Sequence, residues 1–188
     1  MRTILYHALR VSLAILLAGG LLATQTSTLN EGCSYMGILY EHLRDCVVKP
    51  VLLENDLHSE AAEQLLLGTA AHESLGGHYL KQQGNGPALG IYQMEKATLL
   101  DMWDNWLRFN HELRERLQLA RPDPERLMWD LRYATLWARL NYLRVKEPLP
   151  LAGDDRGLAN YWFRYWCRGC KGTVSQWMAD WQRYRITL

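Results

Sequence analysis

Apolar residues recur with a helical period along most of this 188-residue chain. In "MGILYEHLRDCVVKPVLLENDL", residues 36–57, the spacing puts Ile38, Leu39, His42, Leu43, Cys46 and Val47 on one side. Pro50 is expected to bend or end that helix, because proline lacks an N–H and its ring crowds the preceding turn. "LHSEAAEQLLLGTAAHES", residues 57–74, offers Ser59 as an N-cap with Glu63 soon after, then aligns Ala62, Leu65, Leu66, Thr69, Ala70 and Glu73 along one stripe. Helical patterns resume in "KATLLDMWDNWLRFNHELRERLQLA" (96–120), stop at "RPDP", and return in "ERLMWDLRYATLWARLNYLRV" (125–145) until Pro148 and Pro150. A last pair is expected in "DDRGLANYWFRYW" (154–166) and "TVSQWMADWQRYRI" (173–186). Only "GPALGIYQM", residues 86–94, reads as strand or extended loop. The predicted class is therefore mainly α, with at most a small β element around residues 86–94.

The tryptophans follow the same period. Trp103 and Trp106, Trp129 and Trp137, Trp162 and Trp166, and Trp177 and Trp181 stand three, eight, four and four apart, which predicts core-facing stripes. Eight Trp and ten Tyr against two Phe favour rings with a polar handle, suited to sugars as well as to cores. The 21 Lys and Arg nearly cancel the 20 Asp and Glu, so the wide basic field of a nucleic-acid binder is missing.

Residues 1–35 differ in composition from the rest. Arg2 and Arg10 precede "VSLAILLAGGLLA", residues 11–23, shorter than the roughly 20 residues of a membrane span and closer to the apolar region of a secretory signal. Three readings stay open: an export signal, an uncleaved anchor giving membrane association through residues 11–23, or a start at Met36. Residues 36–188 form the expected single domain. Cys33, Cys46, Cys167 and Cys170 allow three disulfide connectivities in an exported chain and stay reduced in a cytosolic one. The lone "CRGC" supplies half a zinc site and Cys33 and Cys46 do not make the other half, so no metal and no cofactor is expected. His72, Glu73 and His78 do not form a zinc-protease helix either, because the two histidines are six apart with Gly76 and Gly77 between them.

Glu73 is the candidate for chemistry. It continues an apolar helical face, where burial disfavours the charged carboxylate and raises its pKa into the range of a general acid. A glycine-bearing loop follows, then "GIYQM" at 90–94 and Thr98. The bland alternative makes Glu73 a helix-end carboxylate bonded to loop amides and Gln93 a residue that ties down a turn.

This succession, "ES" at 73–74 followed by "GIYQM", resembles the lytic transglycosylase and goose-type lysozyme superfamily, and the compact organisation is similar to phage-type members. The resemblance implies a lysozyme-like helical domain acting on peptidoglycan glycan strands, with Glu73 as catalytic acid and Ser74 beside it. Gly90, Gln93 and Met94 then belong to the substrate-binding motif, with Ile91 and Tyr92 replacing the family's usual Leu and Met. The family's late Ala-Tyr-Asn element has its counterpart in "LANYWFRYW", so that Tyr161 or Tyr165 is expected to supply a hydroxyl to Glu73. The implied reaction needs one carboxylate: Glu73 protonates the glycosidic oxygen, then removes a proton from the muramic 6-hydroxyl, which closes on the anomeric carbon. The implied location is the periplasm, a membrane anchor or a virion, with virion proteins as further partners. Two other readings stand beside it. One is a hydrolytic lysozyme using Glu95, Asp101 or Asp104 as a second acid, and the other is a non-catalytic virion protein on a lysozyme-like scaffold.

Overall fold

The computed structural model describes residues 37–186, and both the leader-like segment and Cys33 lie outside them. The first helical stretch comprises α1 (Tyr40–Leu43), a π turn (Arg44–Val48) and α2 (Lys49–Glu54). Pro50 does not end this stretch. It occupies the first turn of α2, directly after the wide π turn, where a missing N–H and a bulky ring are tolerated. The wider turn also rotates the buried face. Leu43, Val48, Val51 and Leu52 are buried, while Leu39, His42 and Cys46 are exposed, contrary to the face expected from a regular period.

The central element is α3 (Glu60–Ser74). Ser59 caps it, its side chain accepting from the Ala62 N–H at 3.1 Å. Leu65 to Ala71 are all buried, so this helix is enclosed on every side rather than amphipathic. It stops because Leu75, Gly76 and Gly77 take left-handed conformations (φ 53, 66 and 91°) and Gly76 N–H turns back to the Ala70 carbonyl at 3.0 Å.

Two short antiparallel strands follow, β1 (Ala88–Leu89) and β2 (Met94–Glu95), in the register Ala88 to Glu95 and Leu89 to Met94, with Lys81 bridging to Leu89. Next come α4 (Lys96–Asp101), a π turn (Met102–Trp106), a 3-10 turn (Leu107–Phe109), α5 (His111–Arg116) and α6 (Arg126–Trp129). The chain ends with α7 (Leu131–Leu143), α8 (Asp155–Tyr165) and α9 (Val174–Ile186). The fold is mainly α with one small β element.

α3 packs chiefly on α9, with α8 and α7 beside it. Gly68 makes the first contact possible, since a Cβ there would overlap the indole of Trp177. Trp137, Trp162, Trp177 and Trp181 are core residues as expected. Trp129 is not: it is 68% exposed on the four-residue α6, with Arg126 over its ring. Two buried hydroxyl pairs fasten the centre to α7. Thr69 Oγ1 donates to the Leu65 carbonyl at 2.7 Å, so Tyr142 donates to Thr69 at 2.7 Å. By the same logic Thr135 donates to the Leu131 carbonyl, and Tyr92 donates to Thr135 at 3.0 Å. Among the described residues no helix is long and apolar enough to cross a membrane.

Candidate active site

The last full turn of α3 delivers Glu73 to a cleft of about 580 Å³. The other walls come from β2, from Asn141 on α7 and Arg144 directly after it, and from the end of α8 with the segment after it. Glu73 Oε1 accepts a hydrogen bond from Trp162 Nε1 at 2.9 Å. Burial pushes its pKa up from 4.5 to about 7, overcoming the opposing effects of the indole N–H and of nearby His72. Such a group holds or releases a proton near neutral pH, as a residue serving as both acid and base requires.

Trp162 is itself fixed. Its ring meets His72 edge-on at 4.6 Å between centroids, and His72 Nδ1 lies 2.7 Å from Asp180 Oδ2 on α9. His72 is thus half-buried behind the acid, and exposed His78 does not line the cleft.

The motif after β1 is a tight, buried turn. Gln93 stands at φ 48° in the left-handed region, an unfavourable conformation for a residue with a Cβ. It is held there by its Nε2, which donates to the Gly90 carbonyl at 2.7 Å. That bond identifies the other amide atom as the oxygen, and this Oε1 is buried with no partner among the described residues. Asn141 on α7 also lines the cleft, at 6% exposure, and its Oδ1 has no partner among the described residues. Two amide oxygens without partners among the described residues, both shielded from solvent, thus belong to residues of one cleft.

The predicted site residues divide into two groups. Glu73, Gln93, Met94 and Tyr165 line the cleft together. Ser74, Gly90 and Tyr161 do not. Ser74 is fully buried behind the site, donating to the Ile91 carbonyl at 2.6 Å and accepting from Gly77 N–H at 2.9 Å, so it braces the motif turn against α3. Gly90 (φ 75°) lies against α6, where a Cβ would overlap the Leu127 carbonyl, so its role is close packing. The Tyr161 hydroxyl donates to the Glu147 carbonyl at 3.0 Å, not to Glu73. The residue next to it, Trp162, supplies the acid's hydrogen bond instead, because α8 turns that position towards α3.

No motif points to Asn141, Trp166, Arg168 or Lys171, which also line the cleft. Asn141 is a buried amide on the apolar side of α7, between Leu140 and Tyr142, and that anomaly is the available signal. Of the competing acids, Asp101 pairs with Arg144 at 2.7 Å and Asp104 lies 3.8 Å from Arg121, both outside the cleft lining, whereas exposed Glu95 is part of it. Cys167 and Cys170 are joined in a disulfide at the cleft wall, and Cys46 is free and exposed. Compared with protein-family models, with curated proteins and with solved structures, the chain has no match.

Proposed function

We propose that the protein cleaves the glycan strand of peptidoglycan between N-acetylmuramic acid and N-acetylglucosamine as a lytic transglycosylase, with Glu73 as general acid and then general base. The observation that carries this reading is a single carboxyl, poised near neutral pH by burial and aimed by an indole N–H, at the edge of a sugar-sized cleft with two unsatisfied amide acceptors. Protonated Glu73 donates to the glycosidic oxygen as the bond to the anomeric carbon breaks. The substrate's acetamido carbonyl oxygen supports the cation formed there. The resulting Glu73 carboxylate then takes the proton of the muramic 6-hydroxyl, whose oxygen closes on the anomeric carbon. No water is consumed, and Glu73 ends as it began. On this reading Gln93 and Asn141, whose amide oxygens lack partners among the described residues, accept acetamido N–H groups or sugar hydroxyls, and Tyr165 and Trp166, both half-buried in the lining, offer faces for pyranose rings.

A hydrolytic form of this reading rests on Glu95, the second carboxylate in the lining. The test is digestion of purified sacculi followed by mass spectrometry of the fragments. Anhydro ends support transglycosylation, and reducing ends support hydrolysis. No release by the wild type leaves a non-catalytic scaffold, and equal release by Glu73→Gln removes Glu73 from the chemistry.

A further inference from the structure

The segment after α8 forms part of the cleft wall and brings Arg168 and Lys171 into its lining, beside Arg144 at the C-terminal cap of α7. Arg144 is anchored by Asp101, but the side chains of Arg168 and Lys171 make no hydrogen bond or ion pair with described residues. The segment is itself held in place. The disulfide closes Cys167 onto Cys170, Cys167 is buried, and Gly172 N–H donates to Cys170 Sγ at 3.2 Å. Gly172 has no room for a side chain, since a Cβ there would press on His72 and Trp162, the pair behind the acid. Two cations that make no direct hydrogen bond or ion pair with described residues, one of them within electrostatic reach of Asp101, thus stand on a braced segment at the rim of the cleft that holds Glu73. Asp101 offsets Arg144 and its charge also reaches Arg168, and of the two acids in the lining Glu73 is neutral below about pH 7, which leaves Glu95 as the nearest lining carboxylate for the remaining positive charge.

Resting on the glycan-cleaving reading, we infer that Arg168 and Lys171 form an anion subsite that selects glycans bearing a carboxylate on the lactyl side of the muramic residue over neutral N-acetylated glycans. In wall material that carboxylate has two sources. It belongs to the acidic stem peptide when the peptide is attached, and to the lactyl group itself when the peptide has been removed. Guanidinium and ammonium groups bind either, the guanidinium through two parallel N–H donors. Because both side chains are exposed, the contribution is moderate and sensitive to salt.

The experiment measures binding to Glu73→Gln protein, which cannot turn over the ligand, through tryptophan fluorescence or calorimetry. Three soluble glycans of equal length are compared: peptide-bearing strands, strands stripped by an amidase, and neutral chitooligosaccharide. At low salt, one or both carboxylate-bearing glycans are expected to bind about five- to tenfold more tightly than the neutral one. Preference for the peptide-bearing strand identifies the stem peptide as the source, and preference for the stripped strand identifies the lactyl group. The advantage should vanish at about 1 M salt, where the screening length is roughly 3 Å. It should also vanish when Arg168→Ala and Lys171→Ala are added, and persist when Lys146→Ala, a charge change outside the cleft lining, is added instead. Equal affinity for all three glycans overturns the inference, as does an advantage that survives the double variant or is lost equally in the Lys146 variant. Failure of the wild type to cleave sacculi tells against the catalytic reading alone, because the binding preference is measured without turnover.

Discussion

The indole N–H of Trp162 donates to Glu73 Oε1 at 2.9 Å, joining the last turn of α8 to the end of α3 through a hydrogen bond that aims the acid. The bond has two consequences of opposite kind. It fixes the carboxyl at the cleft, and it favours the ionised form, holding the pKa at about 7 instead of letting burial carry it higher. Trp162→Phe keeps an aromatic ring and removes the donor, at the further cost of the space that the larger indole filled. With a hydrogen bond to a charged group worth about 1.5–3 kcal/mol, kcat/KM is expected to fall about ten- to hundredfold. The midpoint at which activity is lost on the alkaline side should move upward, because free Glu73 must be protonated to start the reaction and now keeps its proton to higher pH. A pH–rate profile on soluble glycan checks both. A fall in rate with an unmoved alkaline limb would show that the indole merely packs.

Glu73→Gln should abolish cleavage and at the same time stabilise the fold in a pH-dependent way. The folded protein binds the Glu73 proton more tightly than the unfolded chain, with pKa values of about 7 and 4.5. The stability that this difference contributes is fully present below pH 4.5 and is lost as pH rises through 7. At pH 8 the wild type therefore carries a desolvated carboxylate at a cost of up to about 3 kcal/mol, which the neutral amide avoids. Melting curves at pH 4 and pH 8 should show near-equal midpoints at the first and a higher midpoint for the variant at the second. Equal midpoints at both would mean that Glu73 is hydrated and unshifted.

Helical periodicity carries most of this architecture, because burial in a helical bundle is what the spacing of apolar residues records. Glu73 stands out for the converse reason: a carboxylate that continues an apolar stripe is an anomaly visible in one residue. What stays hidden depends on geometry that no spacing encodes. The π turn at Arg44–Val48 rotates the first helical stretch, so Cys46 faces outward where a regular period puts it inside. Tyr161 and Trp162 are neighbours, and the choice between a phenol and an indole as the acid's partner depends on how α8 is rotated against α3. The cations of the 167–172 segment are unreadable because their place follows from a chain reversal after α8.

Ser74 sits beside the acid in sequence yet serves the fold. Its hydroxyl hydrogen is used at 2.6 Å on the Ile91 carbonyl, and its oxygen accepts from Gly77 N–H. Ser74→Ala leaves a buried carbonyl and an amide without their partner, and should destabilise the protein by about 1–3 kcal/mol in denaturant titration. Because Ile91 belongs to the turn that holds Gln93, the residual folded enzyme should lose affinity more than turnover. A variant with unchanged stability and abolished kcat would instead place Ser74 in the chemistry.

Gly90 is a stricter constraint than its polar neighbours. Its backbone is left-handed at φ 75°, and the space a Cβ would take is already filled by the Leu127 carbonyl. Backbone cannot move aside as a flexible side chain can, so Gly90→Ala combines conformational strain with overlap, and a loss of at least about 2 kcal/mol is expected. Gly84 provides the matched control, since it also has a positive φ (73°) but its methyl would point into open space, with nothing within 4 Å. Gly84→Ala should cost only the conformational part, about 1 kcal/mol. Comparison of the two unfolding midpoints separates strain from crowding, and equal losses would mean that α6 yields to the added methyl.

The Cys167–Cys170 disulfide bears on binding rather than on the acid. It encloses Arg168 at the cleft rim and is adjacent to Lys171, while Glu73 takes its position from α3 and Trp162, elements that the bond does not join. Opening it with a dithiol should therefore free the two cations to sample more orientations and raise KM for carboxylate-bearing glycan about two- to fivefold, as loss of fixed exposed ion pairs does. The alkaline limb of the pH profile, set by Glu73, should stay in place. Thiol titration before and after reduction must show two new thiols for the comparison to count. A loss of kcat with a shifted limb would show instead that the disulfide, through Gly172 against His72 and Trp162, holds the acid itself in register.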